Sequence, residues 1–411
     1  MKTDPPLPPA DQVQKGQPAN VGTDDQRSHR RLGQRLIIIV VQIIVGVAIT
    51  EIVVRVAGIE PHKMLTKRRL IDLKSDPPVY YHCYPDNPHG EFIPTPDVAH
   101  GDWRLQDHTF EHNQLPLAEI DKTPWCVEYR HSSKGIRDRE FAPETPSGIT
   151  RIAVIGDSFV FGEGVAEKDT LPRQIGHILG GTVECINGGQ VGANTEQEVV
   201  ILDNIVRETD SSRALLVFIA NDITMTQKLA RQQHYINDLI LIRDQYLKRN
   251  QAWYSGRLRL LDFASSISDI RKIKRDTIQW YRDCYDRRLN GVNLDRMRSR
   301  FSELAQRSDC RTVIVLYPLL EGFESGYPLQ EIHDTVARMA QDVGLSVIDL
   351  APAFAGRNTR SLWVHESDHH PNRIAQQIAA EAIVSMLRER VPGFLPPSAE
   401  VPEKGRRNPS D

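Results

Sequence analysis

Four short stretches of the chain carry side chains suited to acyl-transfer chemistry, and each follows an apolar run or opens a helix-like one. They are "VIGDSFVFGEGV" with Gly156, Asp157 and Ser158; "NGGQVGANT" with Asn187 and Gly192; "FIANDI" with Asn221; and "ESDHHPN" with Asp368 and His370. A serine hydroxyl attacks a carbonyl when a neighbouring base takes its proton, and that base needs an acceptor to hold its tautomer. Ser158, His370 and Asp368 supply those three types. The developing oxyanion needs fixed donors, which the backbone N–H of Ser158 at a helix start, the N–H of Gly192 and the side-chain amide of Asn221 could provide. Glycine suits the second of these positions, because a side chain there would crowd the reacting carbonyl.

Every one of these residues also has an ordinary reading. Ser158 could be a helix N-cap, Gly192 a turn glycine, Asn221-Asp222 a strand-to-helix turn, and His370 a helix-entry residue ahead of Pro371. Asp157, Asp222 and Asp349 read as structural carboxylates. The order of the four blocks favours chemistry, since each follows a predicted strand or stands at a helix entrance. The elements that must position them are short apolar runs, "RIAVIG", "TVECIN", "RALLVFIAN", "RTVIVLYP" and "LSVIDL". Amphipathic stretches at Thr195 to Val206, His333 to Val343 and Arg373 to Arg388 alternate with or follow them. Strands alternating with helices predict a parallel sheet covered on both faces, a three-layer α/β domain, with ligands gathering beyond the carboxyl ends of the strands. One interval, Thr224 to Ser308, is long, charged and helical, and sits between the third and fourth strands. It reads either as a cover for the sheet edge or as a lid over the site.

In these blocks the chain resembles the SGNH (GDSL-like) serine hydrolases, membrane-anchored bacterial type, named for a serine, glycine, asparagine and histidine in separate blocks. "VIGDSFVFGEGV" matches the first block, "NGGQVGANT" looks like the second, "FIANDI" the third and "DHHPN" the fifth, while upstream "GIRDREF" is also similar. The resemblance implies a flavodoxin-like parallel sheet in an α/β/α sandwich. It also implies Ser158 as nucleophile, His370 as base, Asp368 as acid, and an oxyanion hole from Ser158, Gly192 and Asn221. Three departures stand out: Ser367 occupies the position three before the histidine, where many members have the acid; Ala220 replaces a common glycine; and His369 duplicates the base. The implied activity is ester hydrolysis on an acyl ester, with an O-acetylated glycan one candidate substrate, and the scheme requires no metal and no organic cofactor. Transfer of the acyl group to a sugar hydroxyl uses the same residues, and a non-catalytic binding scaffold is the third reading. The G-x-S-x-G elbow of α/β-hydrolases does not fit, because Val160 stands at its second glycine.

The remainder of the chain bounds where this chemistry takes place. With 411 residues, 40% of them hydrophobic, there is enough material for one large domain plus extensions, and a net charge of −3 without a basic stripe speaks against nucleic acid as a partner. Leu36 to Gly58 is almost uninterrupted apolar sequence, about the ~20 residues that cross a bilayer. A retained anchor, a cleaved signal peptide and a buried helix all have that look. Basic residues lie on both sides, those before the span closer to it, which favours an inner-membrane protein with its C-terminal part in the periplasm. The expected layout is a disordered cytoplasmic tail over 1–35, an anchor over 36–57 and a β-rich neck over 58–149. The SGNH-like domain then covers 150–391 with a helical insert over 224–308, and 392–411 forms a second tail. Five cysteines fall in no metal-binding spacing. Cys83 and Cys126 lie in strand-like parts of the neck and would either bridge outside the cytoplasm or stay as two buried thiols.

Overall fold

The structure, a computed structural model, describes residues 22–58, 69–72, 80–84, 111–112, 125–129, 131–132, 134–232, 257–365 and 368–397. It divides into two units, Met1–His62 with Gln251–Ile267, and Lys63–Asn250 with Ser268–Asp411.

In the first unit, helix α1 covers Gly22–Val56. Within it, Leu32–Val56 has a mean hydropathy of 2.8 over its most apolar window and is long and apolar enough to cross a membrane. The helix reaches back to Gly22, into the stretch expected as a tail. Near its other end Glu51 accepts from Arg55 Nε at 2.7 Å and from the backbone N–H groups of Arg259 and Leu260 at 2.9 and 2.8 Å. Arg55 in turn donates to Arg257 O at 2.6 Å. Glu51 thus serves two free amides at a helix start and a cation one turn away on its own helix.

The second unit contains two principal sheets. Strands β1 (Arg69–Asp72), β2 (Tyr80–Tyr84), β3 (Glu111–His112) and β4 (Trp125–Tyr129) form a four-stranded sheet in the order β3-β1-β2-β4. Its antiparallel β2–β4 pairing sets Cys83 opposite Cys126. The larger sheet is parallel and five-stranded: β5 (Thr150–Gly156), β6 (Val183–Gly189), β7 (Arg213–Phe218), β8 (Arg311–Leu316) and β9 (Ser346–Asp349), in the order β6-β5-β7-β8-β9. These are the five apolar runs of the sequence. The order is that of a flavodoxin-like sheet, and its reversal point falls between β5 and β7.

Alternation along the strands divides the core in two. Ala153, Ile155, Leu216, Phe218 and Ile314 face one layer, packed with Leu202 and Ile205 of helix α4 (Thr195–Thr209) and Met297 and Phe301 of α6 (Arg287–Ala305). Ile152, Val154, Leu215, Val217 and Val313 face the other, against Ile175 of α3 (Leu171–Leu179) and Ala379 and Ile383 of α9 (Arg373–Arg390). Both faces being covered, the strands carry no polar side and read as unbroken apolar runs. Helices α5 (Arg259–Cys284), α7 (Gln330–Gln341) and the short α2 (Ser158–Phe161) and α8 (Ala351–Phe354) complete the set used below. Part of the interval 224–308 belongs to the sandwich itself: α6 buries Leu294, Met297, Phe301 and Leu304 in the core and supplies the covering helix between β7 and β8. Its sequence looks too charged for that role because only one face is apolar.

Candidate active site

Strand β5 ends at Gly156, where a Cβ atom would stand 2.6 Å from Val160 Cγ2 and 2.9 Å from Val217 O. Only glycine lets the chain bend so tightly against its neighbour strand. Asp157 then caps α2, accepting from Phe159 N at 2.8 Å. The cap role that was one reading of Ser158 therefore falls to Asp157, and the serine hydroxyl is directed elsewhere.

That hydroxyl lies 2.8 Å from His370 Nε2. The other ring nitrogen, Nδ1, is 2.5 Å from Asp368 Oδ1, which also accepts the His370 backbone N–H at 3.2 Å. Asp368 and His370 occupy strand β11 (Asp368–Pro371), paired with β10 (Trp363–His365). Residues two apart on a strand share a face, so a carboxylate two before the histidine meets its imidazole side by side. Asn372 locks the following turn, capping α9 through Ile374 N and Ala375 N and donating to Ser361 O and Trp363 O. His369 projects from the opposite side of the strand. It stacks on Trp363 with ring centroids 3.7 Å apart, and its Nδ1 lies 3.1 Å from Glu321, which Lys274 approaches at 3.3 Å.

The expected oxyanion donors lie at the same end of the sheet. Asn221 follows β7, and its Nδ2 donates to Asp157 Oδ2 at 2.8 Å. With Asp157 ionised its oxygen only accepts, so the amide presents Nδ2 to it and keeps the second N–H of Nδ2 for another acceptor. Ala220 is fully buried, and its carbonyl takes the Tyr285 hydroxyl at 2.9 Å. Gly192 sits in the turn after β6, close behind Gln190, whose N–H bonds Gly156 O at 2.9 Å. Its φ of +74° demands glycine, and open space surrounds the position its Cβ would take. Asn187 orders the same loop, accepting from Gly189 N at 3.0 Å while its own N–H reaches Asp138 Oδ2 at 2.7 Å.

Beneath the loops Asp157, Glu198 and Asp222 are fully buried. Burial holds Asp157 above the usual carboxylate range, against the lowering influence of its bonds from Phe159 and Asn221. Glu198 and Asp222 are pushed further up, by burial first and then by the neighbouring carboxylates. Asp349 behaves oppositely: His333 Nδ1 at 2.8 Å, Ala351 N and Gln330 hold it below its ordinary value despite burial.

One charged residue at the site went unnoticed in the sequence. Glu163, the middle of "GEG", is buried with its Oε2 3.4 Å from His370 Nε2. No motif flags it, and only the fold brings it round. Glu163, Asp368 and His370 each present an atom within 4.8 Å of the others, a spacing that could hold a metal ion. A metal there would compete with the bonds from both ring nitrogens of His370 to Ser158 and Asp368.

No family model and no curated protein matches this chain. Solved structures do resemble it. One is a protein assigned to the G-D-S-L lipolytic family, from Desulfitobacterium hafniense DCB-2, at 14% identity and a TM-score of 0.32, covering 58% of this chain and 99% of that one. Another is the psychrotrophic esterase EstA from a Pseudoalteromonas species, at 12% identity and a TM-score of 0.35, covering 59% and 98%. A third is a carbohydrate acetylesterase family member from Sinorhizobium meliloti, at 12% identity and a TM-score of 0.32, covering 59% and 98%.

Proposed function

We propose that this chain is a membrane-anchored serine esterase of the SGNH type. The observation that carries the reading is the continuous line Ser158 Oγ, His370 Nε2, His370 Nδ1, Asp368 Oδ1, with separations of 2.8 and 2.5 Å at its two hydrogen bonds. His370 takes the Ser158 proton as Oγ attacks the ester carbonyl, then returns it to the leaving alcohol. Asp368 keeps Nδ1 protonated and supports the imidazolium. The N–H groups of Ser158 and Gly192 and the Asn221 amide receive the oxyanion. Water resolves the acyl-enzyme. The substrate is an acyl ester, with O-acetyl groups on an envelope glycan the favoured class.

The deciding experiment is labelling with a serine-reactive fluorophosphonate. Wild-type protein labels at Ser158 and Ser158→Ala does not; equal labelling of the two would end the reading. The α1 segment anchors the chain in the inner membrane with the esterase in the periplasm, which the reactivity of Cys83 toward an impermeant maleimide in intact spheroplasts, after reduction by an impermeant phosphine, tests. In that compartment Cys83 and Cys126, opposed in register, form a disulfide. A mass difference of two hydrogen atoms between reduced and non-reduced protein reports it.

A further inference from the structure

Phe159, which follows the proposed nucleophile, packs on the ring of the proposed base. Its ring centroid lies 5.6 Å from that of the His370 imidazole with the two planes 67° apart, an edge-to-face contact. It meets the Tyr317 ring in the same manner, at 5.2 Å and 88°. The Phe159 backbone is held as well: Asp157 Oδ1 accepts its N–H at 2.8 Å, and Gln376 Nε2 donates to its carbonyl at 2.8 Å. Tyr317 is fixed in turn, since its hydroxyl donates to Ala375 O at 3.3 Å. Phe159 is 5% exposed, and Tyr317 and Gln376 are fully buried.

Ala375 and Gln376 stand in the first turn of α9, the helix that Asn372 caps two residues after His370. The segment bearing the nucleophile and the segment bearing the base therefore share one support, although 212 positions separate Ser158 from His370 in the chain. In sequence Phe159 reads only as an apolar residue of the short helix "SFVF".

Strand β11 fixes the His370 backbone, and the bond to Asp368 holds Nδ1. Rotation of an imidazole about its Cβ–Cγ bond is soft, because a torsion between sp³ and sp² atoms has broad wells. A hydrogen bond at one ring nitrogen is a pivot, about which the ring can still tilt. Tilting carries Nε2 off the line to Ser158 Oγ, and a misplacement of about 1 Å at a reacting atom costs about 10²-fold in rate. A flat, buried ring packed on the imidazole resists that tilt.

We propose that Phe159 is a positioning residue: its ring, backed by Tyr317, seats the His370 imidazole so that Nε2 stays on the line to Ser158 Oγ while the proton moves to it and away again. Phe159 makes and breaks no bond itself. Its effect is on turnover and passes through His370.

The proposal rests on Ser158 and His370 being nucleophile and base, and its test keeps the two claims apart. Full-length protein in detergent is assayed with p-nitrophenyl acetate and with a fluorophosphonate. Phe159→Leu should lower kcat about tenfold with KM within about twofold of wild type. Phe159→Met, a flexible side chain that fills core gaps without a flat face, should follow it and replaces it if circular dichroism shows Phe159→Leu to be misfolded. Phe354→Leu removes another buried ring, 5.7 Å from Tyr317 and away from His370, and should keep kcat within about twofold. In a His370→Ala background no imidazole remains to be seated, so adding Phe159→Leu should change the slow residual labelling less than about twofold. An equal fractional loss in both backgrounds places the effect on Ser158 and overturns the proposal. Equal kcat losses in the Phe159 and Phe354 variants overturn it too, as does wild-type kcat in both Phe159 variants. Wild-type protein that does not label at Ser158 overturns the nucleophile reading, and this proposal with it.

Discussion

The Asn221 side chain donates to the carboxylate of Asp157 at 2.8 Å, and that same carboxylate caps the helix that begins at Ser158. One buried acid therefore fixes both the strand-to-helix turn presenting the hydroxyl and the amide proposed to receive the oxyanion. Asp157→Ala removes both supports. We expect a loss of about 1–2 kcal/mol in denaturant melts, as for other lost caps. Turnover should fall about 10²-fold with KM little altered. A turnover loss no larger than that of Val200→Ala, an exposed control on α4, would contradict this.

Asp368 and His369 both precede His370, and of the two Asp368 is the one that bonds its ring. Asp368→Asn should lower turnover by about 10²–10⁴, since an amide at Nδ1 no longer enforces the productive tautomer. His369→Ala, which removes the stack on Trp363, should stay within about threefold of wild type. Fluorophosphonate labelling rates provide an independent readout of both.

Arg137→Ala removes a charged donor from three buried carbonyls, of which Phe161 O and Gly162 O keep longer bonds from Asn187 Nδ2 at 3.5 Å and Val165 N at 3.2 Å. A destabilisation of about 3 kcal/mol is expected, and Arg137→Lys should recover little of it because a single ammonium cannot span the three acceptors. Urea denaturation of the two variants measures the difference.

The buried acids give a pH dependence of definite sign. Glu198 and Asp222 have folded-state values raised by burial, so above the unfolded carboxylate range the native state holds more protons than the unfolded chain. Stability contributed by these groups is then greatest at low pH and declines as pH rises from about 4 toward neutrality. Glu198→Gln should flatten that decline, measured as the melting temperature across pH 4.5 to about 7.5. A steeper decline in the variant would reverse the assignment.

Glu51 accepts from two backbone N–H groups at the start of α5. Glu51→Ala should speed hydrogen exchange at Arg259 and Leu260 while leaving amides of the α9 helix unchanged, read by mass spectrometry.

Much of this architecture was legible in the sequence for a simple reason. Strands covered on both faces are apolar at successive positions through their middles, so β5 to β9 stand out as runs such as "RIAVIG" and "RTVIVLYP". The site blocks were legible because each sits where one of those runs stops or a helix opens. Helix α6 was harder to read: its core face is one apolar stripe on a charged helix, and the interval around it looked like an insert.

The sequence by itself determined the residue types at the site, the strand ends that carry them, and the apolar segment able to span a membrane. Tertiary structure decided what depends on distances between residues far apart in the chain. It gave the cap to Asp157 and left the Ser158 hydroxyl to His370, chose His370 over its neighbour by strand alternation, and turned the Asn221 amide toward a carboxylate. It also brought Glu163 to Nε2 of His370, the nitrogen that faces Ser158, on a loop held by Arg137 and Tyr129. Local patterning records which face a residue prefers, whereas a contact of 3 Å between loops depends on how several elements pack at once.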